Sequence, residues 1–283
     1  MNADKLKSLI SKKAQGNSDL SLQYYQMFFF EHILMRLEKS KYKDKIILKG
    51  GLLLASIIGE DFRTTKDMDA TLKSIELDKD IINEIFTEIL NIDIHDNIIF
   101  EIENVKDIRD EDPYGGFQIN IWAKFERLKV HIAIELTSGD IITPREMKYQ
   151  YNRIFGDEII NIVAYPIETM IAEKFETFIS RGLTNTRMKD YYDLFVLIND
   201  ERSNLNKKTL VKAIENTFRK RKTNFDIEYI KEITADIKAD KTILNHWHIY
   251  QQKVPYAKDI NYESIMDALN QLIDIIISEL SKD

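Results

Sequence analysis

The sequence predicts an α+β fold in which a small mixed sheet is followed by an all-helical region. Strand-like segments crowd into the first half of the 283 residues, whereas the segments after Pro166 have helical periodicity. At about 150 residues per domain, this length favours two domains. We therefore expect an α+β domain over residues 1–160 and a helical domain over residues 161–283.

The composition excludes several classes of protein. With 44% hydrophobic residues the chain can fill a core, and the absence of cysteine excludes disulfides and thiolate metal sites. No apolar run reaches the ~18 residues of a membrane span, and the N-terminus is too polar for a secretory signal. We expect a cytoplasmic protein with no membrane partner. The net charge of −7 leaves nucleic acid open as a partner, because phosphate contacts need only a local basic face.

Hydrophobic spacing defines the elements of the first half. A 3.6-residue period predicts helices over residues 20–39, Leu52–Ile58 and Ile82–Ile92. Extended structure is expected at Ile46–Leu48, Phe62–Lys73, Ile98–Val105, Phe117–Phe125 and Leu128–Leu136. The last of these strands alternates cleanly between aliphatic and polar residues.

The second half reads as a series of helices. They are expected over Ile167–Ile179, Met188–Ile198, Leu205–Lys220, Asp226–Ile237 and Tyr262–Leu280. Between the last two, His246 and His248 flank Trp247 with the spacing of a strand. No acid stands near this pair at ligand spacing, so we reject a metal site there.

Two aspartates on a predicted strand are the strongest candidates for chemistry. In Asp67-Met68-Asp69 both carboxylates point to the same side of the strand. Two like charges this close are costly unless a cation lies between them. Mg²⁺ suits such an oxygen pair and commonly holds substrate phosphates as well. The alternative is a solvated acidic strand edge.

A third carboxylate and a glycine turn extend this candidate site. Glu135 lies on the polar face of its strand, so three acids converge on one or two metal ions if that strand neighbours the aspartates. His131 shares the face, where an ordinary polar strand position is the better interpretation. Gly50-Gly51, at a strand-to-helix turn, would let the backbone approach a phosphate, although paired glycines are more often a plain turn.

A lysine interrupts the apolar stripe of the helix predicted at Ile167–Ile179. Lys174 stands where helical spacing calls for a hydrophobic residue, so its ammonium either extends to solvent or meets an anion. We favour a nucleotide phosphate, which lysine binds as a point charge. Farther along the chain, Asp190 and Asp193 share a helix face. Their spacing alone favours plain acids near a helix N-terminus.

Five motifs follow one another along the chain. They are Lys49-Gly50-Gly51, Arg63-x-Thr65-x-Asp67-Met68-Asp69, Ile134-Glu135 followed by Gly139-Asp140-x-x-Thr143-Pro144, Glu168-x-x-x-Ala172-Glu173-Lys174, and Arg187-x-Lys189-Asp190-Tyr191-Tyr192-Asp193-Leu194. In this order, the motifs resemble those of the AbiEii/AbiGii-type nucleotidyltransferase toxins of type IV toxin–antitoxin systems, which act in abortive infection. The combination is specific, although no single motif is, and it spans about half of the chain.

The resemblance implies a DNA polymerase β-like nucleotidyltransferase domain and a helical domain that contributes to the active site. It assigns catalysis to Asp67, Asp69, Lys174 and Asp190, where Asp190 completes the site or acts as a base. It assigns Mg²⁺ to Asp67, Asp69 and Glu135. The implied nucleotide-binding residues are Lys49, Gly50, Gly51, Arg63, Thr65, Arg187 and Asp193. Relatives often carry Gly-Ser in place of Gly50-Gly51, and an aspartate in place of Glu135.

The implied function is that of a growth-arresting toxin that transfers NMP from an NTP onto RNA, with tRNA as the expected acceptor. GTP and a pyrimidine NTP are the candidate substrates, and no stable antitoxin complex is expected. One alternative is a metal-dependent nuclease, against which Thr137 argues, because such sites often place a lysine two residues after the strand acid. A non-catalytic NTP- or RNA-binding module and transfer onto a protein also stay open.

A run of basic residues marks the helical half. It comprises Lys207, Lys208, Lys212 and Arg219-Lys220-Arg221-Lys222. Such a run is usually a solvated helix end. The alternative is a contact with the RNA backbone, with Trp247 available to stack on a base.

Overall fold

The structure is a computed structural model that describes residues 1–59, 63–76, 78–108, 115–199 and 204–282. Phe62, the first residue of one expected extended segment, lies outside these ranges. The chain divides into two compact units. Unit 1 comprises Met1–Asp140 and Met147–Ala164, and unit 2 comprises Ile141–Glu146 and Tyr165–Asp283.

Unit 1 is built on a seven-stranded mixed sheet with the strand order β3-β4-β5-β2-β1-β7-β6. Its strands are β1 (Ile46–Lys49), β2 (Asp67–Leu72), β3 (Ile98–Asp107), β4 (Phe117–Phe125), β5 (Leu128–Ser138), β6 (Met147–Asn152) and β7 (Ile159–Ala164). The central strand β2 is antiparallel to β1 and parallel to β5. The predicted α+β class is confirmed.

Helices cover the apolar face of this sheet. Helices α2 (Ser18–Lys39), α3 (Gly50–Ile58) and α4 (Lys79–Leu90) pack against its strands, and α1 (Ala3–Ala14) packs against α2. In α2, the ring of Phe28 packs 5.8 Å from that of Phe125 on β4, and Phe29 packs 6.2 Å from Phe100 on β3. Asn17 caps α2 by accepting a hydrogen bond from the backbone N–H of Leu20. The core of unit 1 therefore lies between α2 and one side of the sheet.

Strands β6 and β7 fall in a segment, residues 137–166, for which the sequence predicts no helix or strand. β7 pairs in parallel with β1 at Ile47↔Val163 and Leu48↔Ala164, and antiparallel with β6 along its whole length. Each strand has six residues. Strands this short are stabilised by partners that are distant in sequence, so local periodicity does not reveal them.

Unit 2 is helical. Its helices are α5 (Ile167–Arg181), α6 (Met188–Asn199), α7 (Lys207–Arg221), α8 (Ile227–Ala239), α9 (Lys241–Lys253) and α10 (Tyr262–Leu280). The apolar sides of α5 and α7 meet, with the rings of Phe175 and Phe218 5.9 Å apart. Among the described residues of the chain, no helix has the length and hydrophobicity needed to cross a bilayer.

The segment around Trp247 differs from the prediction. His246 and His248 lie on the helix α9, which Asp240 caps by accepting from the backbone N–H groups of Thr242 and Ile243, so the strand-like interpretation is wrong. Trp247 is fully buried, and its Nε1 donates to the Ile260 carbonyl at 3.1 Å. It is therefore not available to stack on a base.

Candidate active site

One face of the sheet in unit 1 is polar, and the strand register defines which residues lie on it. Asp69 of β2 is opposite Lys49 of β1 and Glu135 of β5, and Glu135 is opposite Gln118 of β4. Residues directly opposite each other point to the same face, so these four form one row across the sheet. Gln118 Nε2 donates to Glu135 Oε1 at 3.4 Å.

Asp67 lies on the same face, two residues before Asp69. Both aspartates are half-buried, whereas Met68 and Ala70, on the opposite face, are 1% and 0% exposed. Thr65 Oγ1 donates to Asp67 Oδ1 at 2.7 Å. A hydrogen bond to a charged oxygen is among the stronger ones, so Thr65 fixes the direction of the Asp67 carboxylate.

The glycine turn presses against Asp69. Gly50 has a φ of +67°, and a Cβ placed on it would lie only 1.9 Å from Asp69 Oδ2. The backbone N–H of Gly51 donates to the same oxygen at 3.4 Å. A Cβ on Gly51 would lie 2.7 Å from Thr65 Oγ1 and 3.3 Å from Arg63 Nη2. Both glycines therefore leave room for the side chains that line the site.

Lys49 is held at the end of β5. Its Nζ donates to Asp140 Oδ2 at 2.6 Å and to Thr137 Oγ1 at 2.8 Å, and Thr137 Oγ1 donates to the same Asp140 oxygen at 2.6 Å. These side chains are largely buried, with Lys49 12% and Asp140 15% exposed. Lys49 therefore ties β1 to the turn after β5, and Asp140 balances its charge.

The carboxylates of this face suit a magnesium ion that takes its remaining oxygen ligands from the phosphates of a substrate. Among the residues that the structure describes, no group of three or more His, Asp and Glu side chains is placed to hold a metal ion. Mg²⁺ commonly takes only one or two protein carboxylates when phosphates supply further oxygens. Asp67 and Asp69 fit that donor set, and a third ligand at Glu135 stays a prediction.

A second cluster lies in unit 2 around Lys174 of α5. Its Nζ donates to Asp190 Oδ1 at 2.8 Å and to Asp193 Oδ2 at 2.7 Å, both on α6. Arg187 Nε lies 3.0 Å from Asp190 Oδ2. The side chains of Asp190 and Asp193 are 5% and 0% exposed. The lysine in the apolar stripe thus meets two acids of its own chain, which hold the α5–α6 pair together.

The charges of this cluster are stabilised by one another. Burial alone would lower the pKa of Lys174, but the carboxylates of Asp193 and Asp190 outweigh it and raise this pKa. Burial alone would raise the pKa of Asp190, but the charges of Lys174 and Arg187 lower it overall, against the repulsion of Asp193. Both groups are therefore charged at neutral pH.

The structure thus places the predicted site residues in two sets. Unit 1 brings together Lys49, Gly50, Gly51, Arg63, Thr65, Asp67, Asp69 and Glu135; unit 2 brings together Lys174, Arg187, Asp190 and Asp193. Sequence reasoning missed Asp140 as the partner of Lys49, although the residue was visible in the Gly139-Asp140 motif. His131 pairs with Glu103 at 3.3 Å, as a polar strand residue does.

The chain is similar to several known proteins. The model of the family described as "Nucleotidyl transferase AbiEii toxin, Type IV TA system" matches residues 32–271. No curated protein matches the chain. Among solved structures, JHP933 from Helicobacter pylori has a TM-score of 0.48 and 16% identity over 91% of this chain and 93% of that one. A putative nucleotidyltransferase from H. pylori has a TM-score of 0.48 and 17% sequence identity, over 92% of this chain and 97% of that one. An antigenic nucleotidyltransferase-like protein from Paracoccidioides brasiliensis has a TM-score of 0.36 and 15% sequence identity, over 85% of this chain and 95% of that one.

Proposed function

Because the chain belongs to the AbiEii nucleotidyl transferase toxin family of type IV toxin–antitoxin systems, we propose that it transfers NMP from an NTP onto RNA, with tRNA as the acceptor. In a cell this reaction would arrest growth, the outcome expected in abortive infection. The observation that carries the proposal is the pair of same-face carboxylates, Asp67 and Asp69, held against the glycine turn at the start of α3.

In this reaction an acceptor hydroxyl attacks the α-phosphorus of the NTP and its proton passes to water. The bond from this phosphorus to the α–β bridging oxygen breaks, and pyrophosphate leaves. Asp67 and Asp69 would hold Mg²⁺, which supplies charge neutralisation on the phosphates and favours loss of the hydroxyl proton. The first N–H groups of a helix lack intrahelical acceptors, so the start of α3 at Gly50 suits the phosphates. Thr65 keeps the Asp67 carboxylate in one orientation.

We assign the cluster in unit 2 to nucleotide contact and positioning. An ammonium group has three N–H donors, and the contacts of Lys174 with Asp190 and Asp193 use two of them. We propose the third for a phosphate of the nucleotide. The lowered pKa of Asp190 makes this carboxylate a poor acceptor of a proton at neutral pH. Its proposed role is therefore to hold Lys174 in place rather than to act as a base.

Transfer of labelled nucleotide tests the proposal. The protein is incubated with Mg²⁺, total RNA and each of the four NTPs, labelled in turn at the α- and at the γ-phosphate. We expect label in RNA from the α-position of at least one NTP and none from the γ-position. Chelation of the metal by EDTA should abolish the transfer, and excess Mg²⁺ should restore it.

Variants locate the activity. Asp67→Asn and Asp69→Asn should each abolish the transfer, whereas Asp107→Asn, an exposed carboxylate at the end of β3, should leave it unchanged. Absence of label with all four NTPs would overturn the proposal. Shortening of the RNA without NTP would instead indicate a nuclease, and label on a protein would identify a different acceptor.

A further inference from the structure

The polar face of the sheet continues beyond the candidate site along β4 and β5. In the row next to Glu135, Asp67 is opposite Ala133, and Ala133 is opposite Asn120. Ala133 is half-buried and has only a methyl side chain, so the surface of this face is depressed at Ala133. The following row, at His131, lies four residues from Glu135, or about 13 Å at the rise of a strand.

That row carries an accessible tryptophan. Trp122 is opposite His131, and their ring centres are 5.0 Å apart. Trp122 Nε1 donates to Glu103 Oε1 at 3.3 Å, and Lys129 Nζ lies 4.2 Å from the centre of the ring. Trp122 is half-buried and the His131 side chain is 41% exposed. The chain has two tryptophans, and this one, unlike the buried Trp247, lies on a surface that a ligand can reach.

The surroundings of Trp122 combine an aromatic ring with a basic residue, as sites for single-stranded RNA do. Cross-strand packing against His131 would by itself account for an aromatic residue here. The contact with Glu103 adds a fixed ring orientation, and Lys129 adds a cation over one face of the ring, which leaves the other face for a base. Open sheets that bind single strands combine aromatic rings, on which bases stack, with basic residues along the backbone. Small nucleotides, by contrast, usually occupy concave pockets.

We propose that this face binds the acceptor strand, with a nucleobase stacked on Trp122 and a backbone phosphate near Lys129. The inference rests on the proposed function, in which the acceptor is RNA. Stacked bases follow one another at about 3.4 Å along a strand. The 13 Å between Glu135 and His131 therefore corresponds to about four nucleotides, so the stacked base lies about that far from the reacting end.

Fluorescence tests the stacking without any turnover. Intact protein is titrated with an eight-nucleotide single-stranded RNA in the absence of NTP and metal. We expect the tryptophan emission of the wild type to be quenched, and this quenching to be lost in Trp122→Phe, whose remaining Trp247 is buried. Equal quenching in both proteins, or none in the wild type, would overturn the proposal.

Kinetics separate the acceptor from the nucleotide. Trp122→Ala should raise the KM for acceptor RNA by roughly 5- to 150-fold, as base stacking of about 1 to 3 kcal/mol implies, and leave the KM for NTP unchanged. Trp122→Phe should stay close to the wild type. Tyr42→Ala is the matched control, because Lys41 also lies over the Tyr42 ring, at 5.1 Å, but Tyr42 contacts Glu88 of α4.

Each outcome has one meaning. If Trp122→Ala changes only the KM for NTP, or changes the KM for acceptor RNA no more than Tyr42→Ala does, the proposal that a base stacks on Trp122 is overturned. The transferase function would still stand. If the wild type transfers no label, the proposed function fails, and the fluorescence titration still decides whether RNA binds at Trp122.

Discussion

Alanine in place of Gly50 tests whether the glycine turn and Asp69 work together. The Cβ of this alanine would lie 1.9 Å from Asp69 Oδ2, whereas real Cβ contacts stay beyond 3.0 Å. The carboxylate must therefore move by about 1 Å. A displacement of that size in an active site costs about 100-fold in rate. A side chain at the positive φ of Gly50 also costs about 1 to 2 kcal/mol of stability.

Gly16→Ala is the matched control for the backbone cost. Gly16 has a φ of +83°, and nothing lies within 4 Å of a Cβ placed on it. In urea unfolding, Gly16→Ala should lose about 1 to 2 kcal/mol of unfolding free energy, and Gly50→Ala should lose at least as much. In the transfer assay at saturating NTP and RNA, only Gly50→Ala should lose about 100-fold in kcat. Equal activity of the two variants would refute the reasoning.

Three further predictions concern Thr65, Lys174 and Glu31. Thr65→Val should lower kcat by about 10- to 150-fold, since a hydrogen bond to a charged group is worth about 1.5 to 3 kcal/mol. Thr71→Val in β2 should not lower kcat, because Thr71 Oγ1 donates to the Thr137 carbonyl instead of a carboxylate; similar kinetics of the two variants would contradict this. Lys174→Met leaves the buried Asp190 and Asp193 without their shared cation, so urea titration should show a loss of about 3 to 5 kcal/mol, and Lys174→Arg should lose less. Burial raises the pKa of Glu31 from 4.5 to about 7. The neutral Glu31 carboxyl should contribute its full stabilisation below pH 4.5, and the free energy of unfolding should fall by about 3 kcal/mol as the pH rises to 7. In Glu31→Gln this fall in the free energy of unfolding should be absent, and an unchanged fall would show that other groups cause it.

The fold class could be predicted because long amphipathic elements carry their own periodicity. The apolar stripe of α4 and the alternation of β5 are visible in the sequence without any tertiary contact. The strands β6 and β7 were missed, because their pairing with β1 depends on residues far apart in the chain. In α9, the fully buried Trp247 and Ile243 lie one turn apart on a helix, a spacing that the histidine pair obscured.

The candidate site could be predicted only where neighbouring residues define it. Strand geometry alone puts Asp67 and Asp69 on one face. Two further features depend on which strands pair in the sheet, and no local sequence pattern predicts that pairing. They are the adjacency of Asp69 to Glu135 and the hydrogen bond from Lys49 to Asp140.

The accessible tryptophan did have a signal in the sequence. In Phe117–Phe125 the apolar residues of one face, Phe117, Ile119, Ile121 and Ala123, alternate with Gln118, Asn120, Trp122 and Lys124 on the other face. A tryptophan on the polar side of an alternating strand is the pattern that would have favoured Trp122 over Trp247.

Single-turnover stoichiometry tests most directly whether Asp67 and Asp69 form the active site of a nucleotidyltransferase. Enzyme in excess over an α-labelled NTP is mixed with RNA and Mg²⁺, and label in RNA and free pyrophosphate are measured in the same sample. We predict one pyrophosphate for each NMP incorporated in the wild type and in Asp107→Asn, and neither product in Asp69→Asn. Incorporation by Asp69→Asn at the wild-type rate, or pyrophosphate release without incorporation, would contradict the assignment.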